Sequence, residues 1–177
     1  MYVEVTEDGK PKATEKSIEQ AAEVLKEGLD KLHDPMLAQH LARMFYVNAE
    51  FFSENKIDSC FSKAVEFCEK AISMNPHSSC LYDTMGRIYE SKMNFLYGPI
   101  RKDYRVVEVD EVTRVLPLAF HAMEWFQKSL AASMDYQAES GFRGELSVMF
   151  FLLDVFRCAR IFRGREGLEK LQGYLAY

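Results

Sequence analysis

The sequence has none of the short motifs that mark common enzyme sites. It contains no Gly-x4-Gly-Lys-Ser/Thr phosphate loop and no His-Glu-x2-His zinc motif, and its four histidines are widely scattered. We therefore expect a chain that is not an enzyme and that needs no cofactor and no metal. The longest apolar run, Val148 to Leu153, has six residues, whereas a membrane span needs about 18 or more. We expect no membrane partner.

Glycine, proline and cysteine are also scarce, and acidic residues outnumber basic ones by 27 to 22. Nine glycines and five prolines in 177 residues leave little room for the tight turns of an all-β fold. The four cysteines form no Cys-x2-Cys pair and mostly occupy apolar helix positions, which indicates buried, reduced thiols of an intracellular protein. The net charge of −5 argues against a dedicated nucleic-acid binder, which needs a basic surface. These features predict a cytoplasmic location.

What the sequence does contain is apolar residues at helical spacing along most of its length. We predict a flexible arm over residues 1–13 and a single α-helical domain over residues 14–177, as a fragment of a larger multidomain protein. Ser17 with Gln20 is interpreted as a capping box that opens a first helix ending near Leu32.

The next two helices are predicted from their boundaries. Asp34-Pro35 combines an N-cap residue with a proline in the first turn, which is typical of a helix start. Residues 55–58 are predicted to form a turn, and residues 59–74 the partner helix. Short links between consecutive helices favour antiparallel hairpins that stack side by side.

Residues 64–89 carry the pattern of a tetratricopeptide-type repeat seam, in which small residues let two helices approach closely. The three small residues share one helix face, a proline ends that helix, and an aromatic-x2-apolar-Gly-x2-Tyr pattern marks the next helix. This predicted repeat seam comprises Ala64, Cys68, Ala71, Pro76, Tyr82, Met85, Gly86 and Tyr89. The predicted fold class is all-α, with stacked tetratricopeptide-like helical hairpins.

A long insertion is predicted after the seam. The spacing from Tyr89 to Ala122 is 33 residues (122 − 89), against about 9 in the repeat consensus. We expect residues 90–109 to form a long loop with a turn at Gly98-Pro99. Arg101, Lys102, Tyr104 and Arg105 are candidate contacts there, with Tyr104 able to stack on a nucleobase. The alternative is a solvated loop.

Two further helices are expected beyond the insertion. Asp110 is predicted to cap a long helix that continues to Ala132 and is kinked or divided at Pro117. Residues 133–141 are predicted to be a link. The last strong segment is apolar nearly all round over residues 146–156, which is expected of a helix packed on two sides.

Four arginines form the second candidate site. Arg157, Arg160, Arg163 and Arg165 follow one another closely, and steps of three residues keep the first three on one broad helix face. This arginine ridge is a candidate partner-binding surface for an acidic protein surface or a phosphate backbone. The alternative is a solvated face with internal ion pairs, such as Arg157 with Asp154.

Glycines before the last helix admit two interpretations. Gly141 and Gly144 suggest a phosphate-binding loop, because glycines precede a helix. The alternative is that Gly144 permits close helix approach while Glu145 favours a helix N-terminus.

Three blocks together resemble one family. Q-H-L-A-R at 39–43, S-S-C-L-Y-D-T-M-G-R-I-Y at 78–89 and G-F-R-G-E at 141–145 occur in the order found in the helical-repeat region of the sterile alpha motif domain-containing protein nine and nine-like family. The resemblance covers most of residues 34–156. It implies a large cytosolic antiviral and growth-restraining protein, built like a signal-transduction ATPase. The nuclease and ATPase modules of such a protein would lie outside this chain.

Two functions therefore remain open. The first is a non-catalytic scaffold for protein–protein or intramolecular regulatory contacts, whose partner is another domain of the same polypeptide or a regulatory or viral protein. The alternative is accessory RNA binding through the arginine ridge.

Overall fold

The secondary structure is α-helical almost throughout the described part of the chain. The computed structural model describes residues 13–103, 107–133 and 138–159, together with residue 169. Within these ranges lie six α-helices and one short 3-10 helix (Ala49–Phe51). The helices are α1 (Glu15–Leu32), α2 (Pro35–Val47), α3 (Glu54–Met74), α4 (Ser79–Asp103), α5 (Val109–Ala132) and α6 (Ala138–Cys158). The all-α fold class is confirmed. The predicted arm lies outside the described residues, except for residue 13.

The helices belong to two compact units, Met1–Pro76 (unit 1) and His77–Tyr177 (unit 2). In unit 1, α2 contacts both α1 and α3. In unit 2, each of α4, α5 and α6 contacts the other two. An isolated parallel bridge in unit 2 links Val107 to Ala159, with the Val107 amide donating to the carbonyl of Cys158 at 3.2 Å.

The first helix begins three residues earlier than the predicted capping box. Thr14 is the N-cap: its hydroxyl accepts from the Ser17 amide at 3.2 Å, and its own amide donates to the Ser17 hydroxyl at 2.9 Å. The box is therefore Thr14 with Ser17, and the predicted pairing of Ser17 with Gln20 is wrong. Here a serine at the third helical position accepts the hydrogen bond from the N-cap amide, which is the contact that glutamate or glutamine usually makes. The predicted end at Leu32 is confirmed.

This correction predicts a difference between two alanine substitutions. Thr14→Ala removes a side-chain acceptor for a helix amide and should lower the free energy of unfolding of unit 1 by about 1 kcal/mol. Gln20→Ala, at an exposed helix position, should change it by less than about 0.5 kcal/mol. Thermal unfolding followed by circular dichroism measures both. Equal losses would restore the pairing of Ser17 with Gln20.

The start of α2 agrees with the sequence, and the start of α3 does not. The carboxylate of Asp34 accepts from the amide of Met36 at 2.8 Å, with Pro35 in the first turn, as predicted. Residues 55–58 belong to α3, so the predicted turn there is wrong. The chain turns earlier, through the 3-10 helix, and the buried Phe52 anchors that link. Ser53, in extended conformation, then leads into α3.

The predicted long loop is mostly helix. Helix α4 continues through Gly98 and Pro99 to Asp103, so the predicted turn at these two residues is wrong. Met93 and Tyr97, four residues apart, are buried in the core of unit 2. Burial of these two apolar side chains stabilises the additional helical turns. This stabilisation offsets the loss of the backbone hydrogen bond that Pro99 cannot donate.

Helix α5 runs unbroken through Pro117 and ends at Ala132 as predicted. Its N-cap is Glu108 rather than Asp110, because the Glu111 carboxylate accepts from the Glu108 amide at 3.0 Å and completes a capping box. The link after α5 is shorter than predicted, since α6 begins at Ala138.

Candidate functional site

The predicted seam residues fall in both units, and each half is described by itself. In unit 1, Ala64, Cys68 and Ala71 are fully buried on α3, and the helix ends at Met74, two residues before Pro76. These small side chains allow close packing within the unit.

In unit 2, the seam residues face α5. Tyr82 stacks on Trp125 with ring centroids 6.0 Å apart, and Tyr89 lies against His121 at 5.2 Å. Met85 is fully buried in the same helix. The aromatic residues of the seam therefore fill the interface between α4 and α5.

Two of the three blocks of the family resemblance meet at one ring. A Cβ added at Gly86 would lie 2.6 Å from the ring of Phe126, and one added at Gly144 would lie 2.4 Å from it. Phe126 is fully buried. The ring is thus held between α4 and α6 by two residues that have no side chain, and sequence reasoning had not linked these positions. We name Gly86, Phe126 and Gly144 the glycine clamp.

The clamp decides between the two interpretations of the glycines in α6. Gly141 and Gly144 lie inside the helix, where a Cβ on Gly141 would lie 2.9 Å from Leu130. Close helix approach is confirmed, and the phosphate-loop interpretation is wrong. Glu145 is not at the helix N-terminus. Its carboxylate accepts from the side-chain amide of Gln127 at 2.9 Å.

A polar network joins α4 to the start of α6 beside the clamp. The guanidinium of Arg87 lies 2.8 Å from the carboxylate of Glu90, donates to the carbonyl of Ser140 at 3.3 Å and sits 5.0 Å from the centre of the Phe126 ring. The Ser140 hydroxyl donates to Asp83 at 2.9 Å. A cleft of about 470 Å³ opens here. Its charged groups are paired with one another, so the network is best understood as a connection between helices.

Little of the two predicted basic sites falls in the described residues. Of the arginine ridge, Arg157 is exposed in the last turn of α6, which ends at Cys158. Arg160, Arg163 and Arg165 lie outside the described residues. Arg101 and Lys102 occupy the last turn of α4, where only the backbone is described, and Tyr104 and Arg105 lie outside.

The outer face of α6 carries a row of exposed apolar side chains. They occupy positions i, i+4, i+7, i+8 and i+11, and each is between 46% and 60% exposed. We name them the α6 stripe: Phe142, Leu146, Met149, Phe150 and Leu153. The opposite face, which includes Val148, Phe151 and Val155, is buried in the core. The expectation of a helix packed on two sides is therefore wrong for the described residues.

The stripe is the strongest candidate site because burial of apolar surface drives most protein association. Scattered apolar side chains on a protein surface are normal, whereas a contiguous patch marks an interaction surface. The spacing of the stripe matches the spacing by which an amphipathic helix packs on a neighbour. The pattern over residues 146–156 already showed two apolar faces, but the sequence does not say which face is left uncovered.

The described residues offer few chemical groups suited to catalysis or metal binding. Of the four cysteines, Cys60, Cys68 and Cys158 are buried and Cys80 is exposed. Burial raises the pKa of the Cys60 thiol, which makes it a poorer nucleophile. Across the described ranges, no three His, Cys, Asp or Glu side chains gather into a group that would hold a metal ion. None of the helices described is long and apolar enough to cross a membrane.

Within the described residues, the geometry thus defines an all-helical structure in which one face of α6 is apolar and exposed. The chain is similar to the human protein "Sterile alpha motif domain-containing protein 9", with 24% identity over 166 residues that cover 83% of this chain. This supports a distant relation to that family. The chain spans 10% of the length of the human protein. No protein-family model matches the chain, and no solved structure matches it.

Proposed function

We propose that the chain is a non-catalytic scaffold of tetratricopeptide-like helical hairpins that makes protein–protein or intramolecular regulatory contacts. The observation that carries this proposal is the α6 stripe, a row of exposed apolar side chains with helix-docking spacing on the helix face opposite the buried core. Short links between consecutive helices support the hairpin arrangement, since such links place neighbouring helices antiparallel.

The wider setting of the proposal comes from what the family resemblance of the sequence implies. We propose that the chain acts within a large cytoplasmic protein of antiviral defence and growth restriction, built like a signal-transduction ATPase. Its contacts would hold or release the activity of other domains. The family resemblance at residues 78–89 supports this setting. The same block supplies Tyr82 and Tyr89 to the interface between α4 and α5 and one of the three residues of the glycine clamp, Gly86.

Two variants that add one carboxylate each to α6 test the proposal. Phe150→Glu changes the stripe, and the matched control Ser147→Glu changes an exposed position about 100° around the helix from Leu146. With the 177-residue chain immobilised in a cytosolic extract, we expect specific proteins to be retained by wild type and by Ser147→Glu. Phe150→Glu should retain them about tenfold less, as expected when a charge is placed in an apolar contact.

Two results would count against the scaffold. One is a set of retained proteins that is identical for wild type and Phe150→Glu. The other is turnover of nucleotide or nucleic acid by the purified chain that a single substitution within the chain abolishes, because that would make the chain an enzyme.

A further inference from the structure

We propose that the α6 stripe binds a second copy of this chain, through two α6 helices packed antiparallel about a two-fold axis. The inference rests on the proposed scaffold function and names the partner of the same surface. Three properties of α6 carry it: the symmetry of the stripe, the charges at its ends and the area that it offers.

Four of the five stripe residues are arranged symmetrically about the middle of the stripe, and Phe150 lies beside that middle. The centre of the stripe lies between Leu146 and Met149, and its two ends are Phe142 and Leu153. In an antiparallel pair, each end of one stripe meets the opposite end of the other, so a phenylalanine is placed against a leucine at both ends. Leucine and methionine meet in the middle. A surface of this kind is complementary to itself, which is the requirement of a two-fold dimer.

The ends of the stripe carry opposite charges in line with it. Glu139 and Arg157 are about five helical turns apart, so they lie on the same line along α6. Both are exposed. An antiparallel second copy places its Arg157 beside Glu139 of the first copy, and the reverse at the other end. A parallel arrangement would place like charges together, which disfavours it.

A second pair on one flank follows the same symmetry. Arg143 and Asp154 lie on the same side of the stripe, near opposite ends. A two-fold axis brings the same flank of both helices together, so Arg143 approaches Asp154 of the second copy. The existing pair of Arg143 with Glu139, at 2.7 Å, is 75% and 72% exposed. Such an exposed pair is weak and does not prevent either residue from joining a larger network.

The area of the stripe predicts a weak dimer. A half-exposed aromatic or long aliphatic side chain presents on the order of 100 Å², so two stripes together bury about 1,000 Å². That value is the lower limit for a specific interface. We therefore expect a dissociation constant on the order of 10–100 µM, which makes the association dependent on local concentration.

Sedimentation velocity of the full chain between about 2 and 400 µM tests the proposal, over a range chosen from the expected affinity. Wild type should pass from monomer to dimer with increasing concentration, and so should the control Gln20→Glu, which adds one carboxylate at an exposed position of α1. Phe150→Glu should remain monomeric throughout, because two carboxylates would be buried near the two-fold axis. Fluorescence of Trp125 and circular dichroism verify that each variant is folded.

A charge exchange tests the antiparallel arrangement separately. Glu139→Arg alone and Arg157→Glu alone should each weaken the dimer about fivefold, because each change creates two like-charge contacts. The double variant should recover wild-type affinity within about twofold, since both pairs are restored with reversed sign. A double variant weaker than both single variants would overturn the arrangement.

The possible failures can be distinguished. Wild type that stays monomeric at about 400 µM overturns the second copy as partner, while the retention experiment with Phe150→Glu still decides whether the stripe docks another protein. A chain ending at residue 159 tests the remaining possibility, which is that residues 160–177 occupy the stripe. If that shortened chain dimerises and the full chain does not, residues 160–177 occupy the stripe, and the proposal is overturned.

Discussion

Replacing Gly144 with alanine should lower the free energy of unfolding of unit 2 by about 2 kcal/mol. The reason is the glycine clamp. The new Cβ would lie 2.4 Å from the Phe126 ring, and the backbone of Gly86 is also close to that ring, since a Cβ there would lie 2.6 Å from it, so the ring has little room to move. The loss exceeds the gain of about 1 kcal/mol that alanine brings to a helix interior.

Fluorescence offers a direct measurement. The chain has one tryptophan, Trp125, which lies on α5 next to Phe126, so urea unfolding followed by its emission reports on unit 2. Ser147→Ala, an exposed change on the same helix, serves as the control and should raise stability by a few tenths of a kcal/mol. If both variants were stabilised, the close approach at Gly144 would be wrong.

A double-mutant cycle identifies the ring as the cause. Phe126→Leu alone should cost about 1–2 kcal/mol because it leaves a cavity. In the Phe126→Leu background, Gly144→Ala should cost little or even stabilise, since the smaller side chain makes room for the added methyl group. The coupling between the two changes should therefore be about 2 kcal/mol. If the losses of stability of the two single variants simply added in the double variant, the Phe126 ring would not be the cause of the loss at Gly144.

Arg87→Met should lower the stability of unit 2 by about 3 kcal/mol. The guanidinium is the ion-pair partner of Glu90, whose side chain is only 10% exposed, at 2.8 Å. It also donates to the Ser140 carbonyl and covers the Phe126 ring. Methionine fills part of the space but leaves a nearly buried carboxylate without its cation, which is the costly part of the change.

The cost of Arg87→Met should depend on Glu90. Combining Arg87→Met with Glu90→Gln removes the stranded charge and should recover about half of the loss, as measured by the same urea unfolding. The matched control is Arg143→Met, on the neighbouring helix. Its ion pair with Glu139 has a similar distance, 2.7 Å, but both side chains are more than 70% exposed. We expect a loss below about 0.5 kcal/mol there, and equal losses for the two arginines would argue against the network.

Much of this fold could be predicted from local patterns, because helices and their caps depend mainly on residues that are close in sequence. The apolar spacing predicted helices, and the ends of α1, α3 and α5 fall at Leu32, Met74 and Ala132 as expected. Asp34 caps α2 because an N-cap depends on only a few residues. The start of α5 was misplaced because Glu108, two residues before the predicted cap Asp110, forms a capping box with Glu111.

Features that depend on distant contacts were missed. Gly98-Pro99 is locally a turn, but burial of Met93 and Tyr97 in the core of unit 2 outweighs that preference. The glycine clamp joins positions on three helices, so no spacing in the sequence reveals it. In α6 the all-round apolar pattern was visible, whereas the exposure of one face depends on what the rest of the chain covers.

The glycine clamp also has an evolutionary consequence. Because Gly86, Phe126 and Gly144 share one space, a larger residue at either glycine position is compatible with the fold only if the residue at the ring position becomes smaller. Among distant relatives, the three positions should therefore change together. Such a linked substitution would identify a chain with this arrangement of α4, α5 and α6 even where overall sequence identity has fallen too low to be informative.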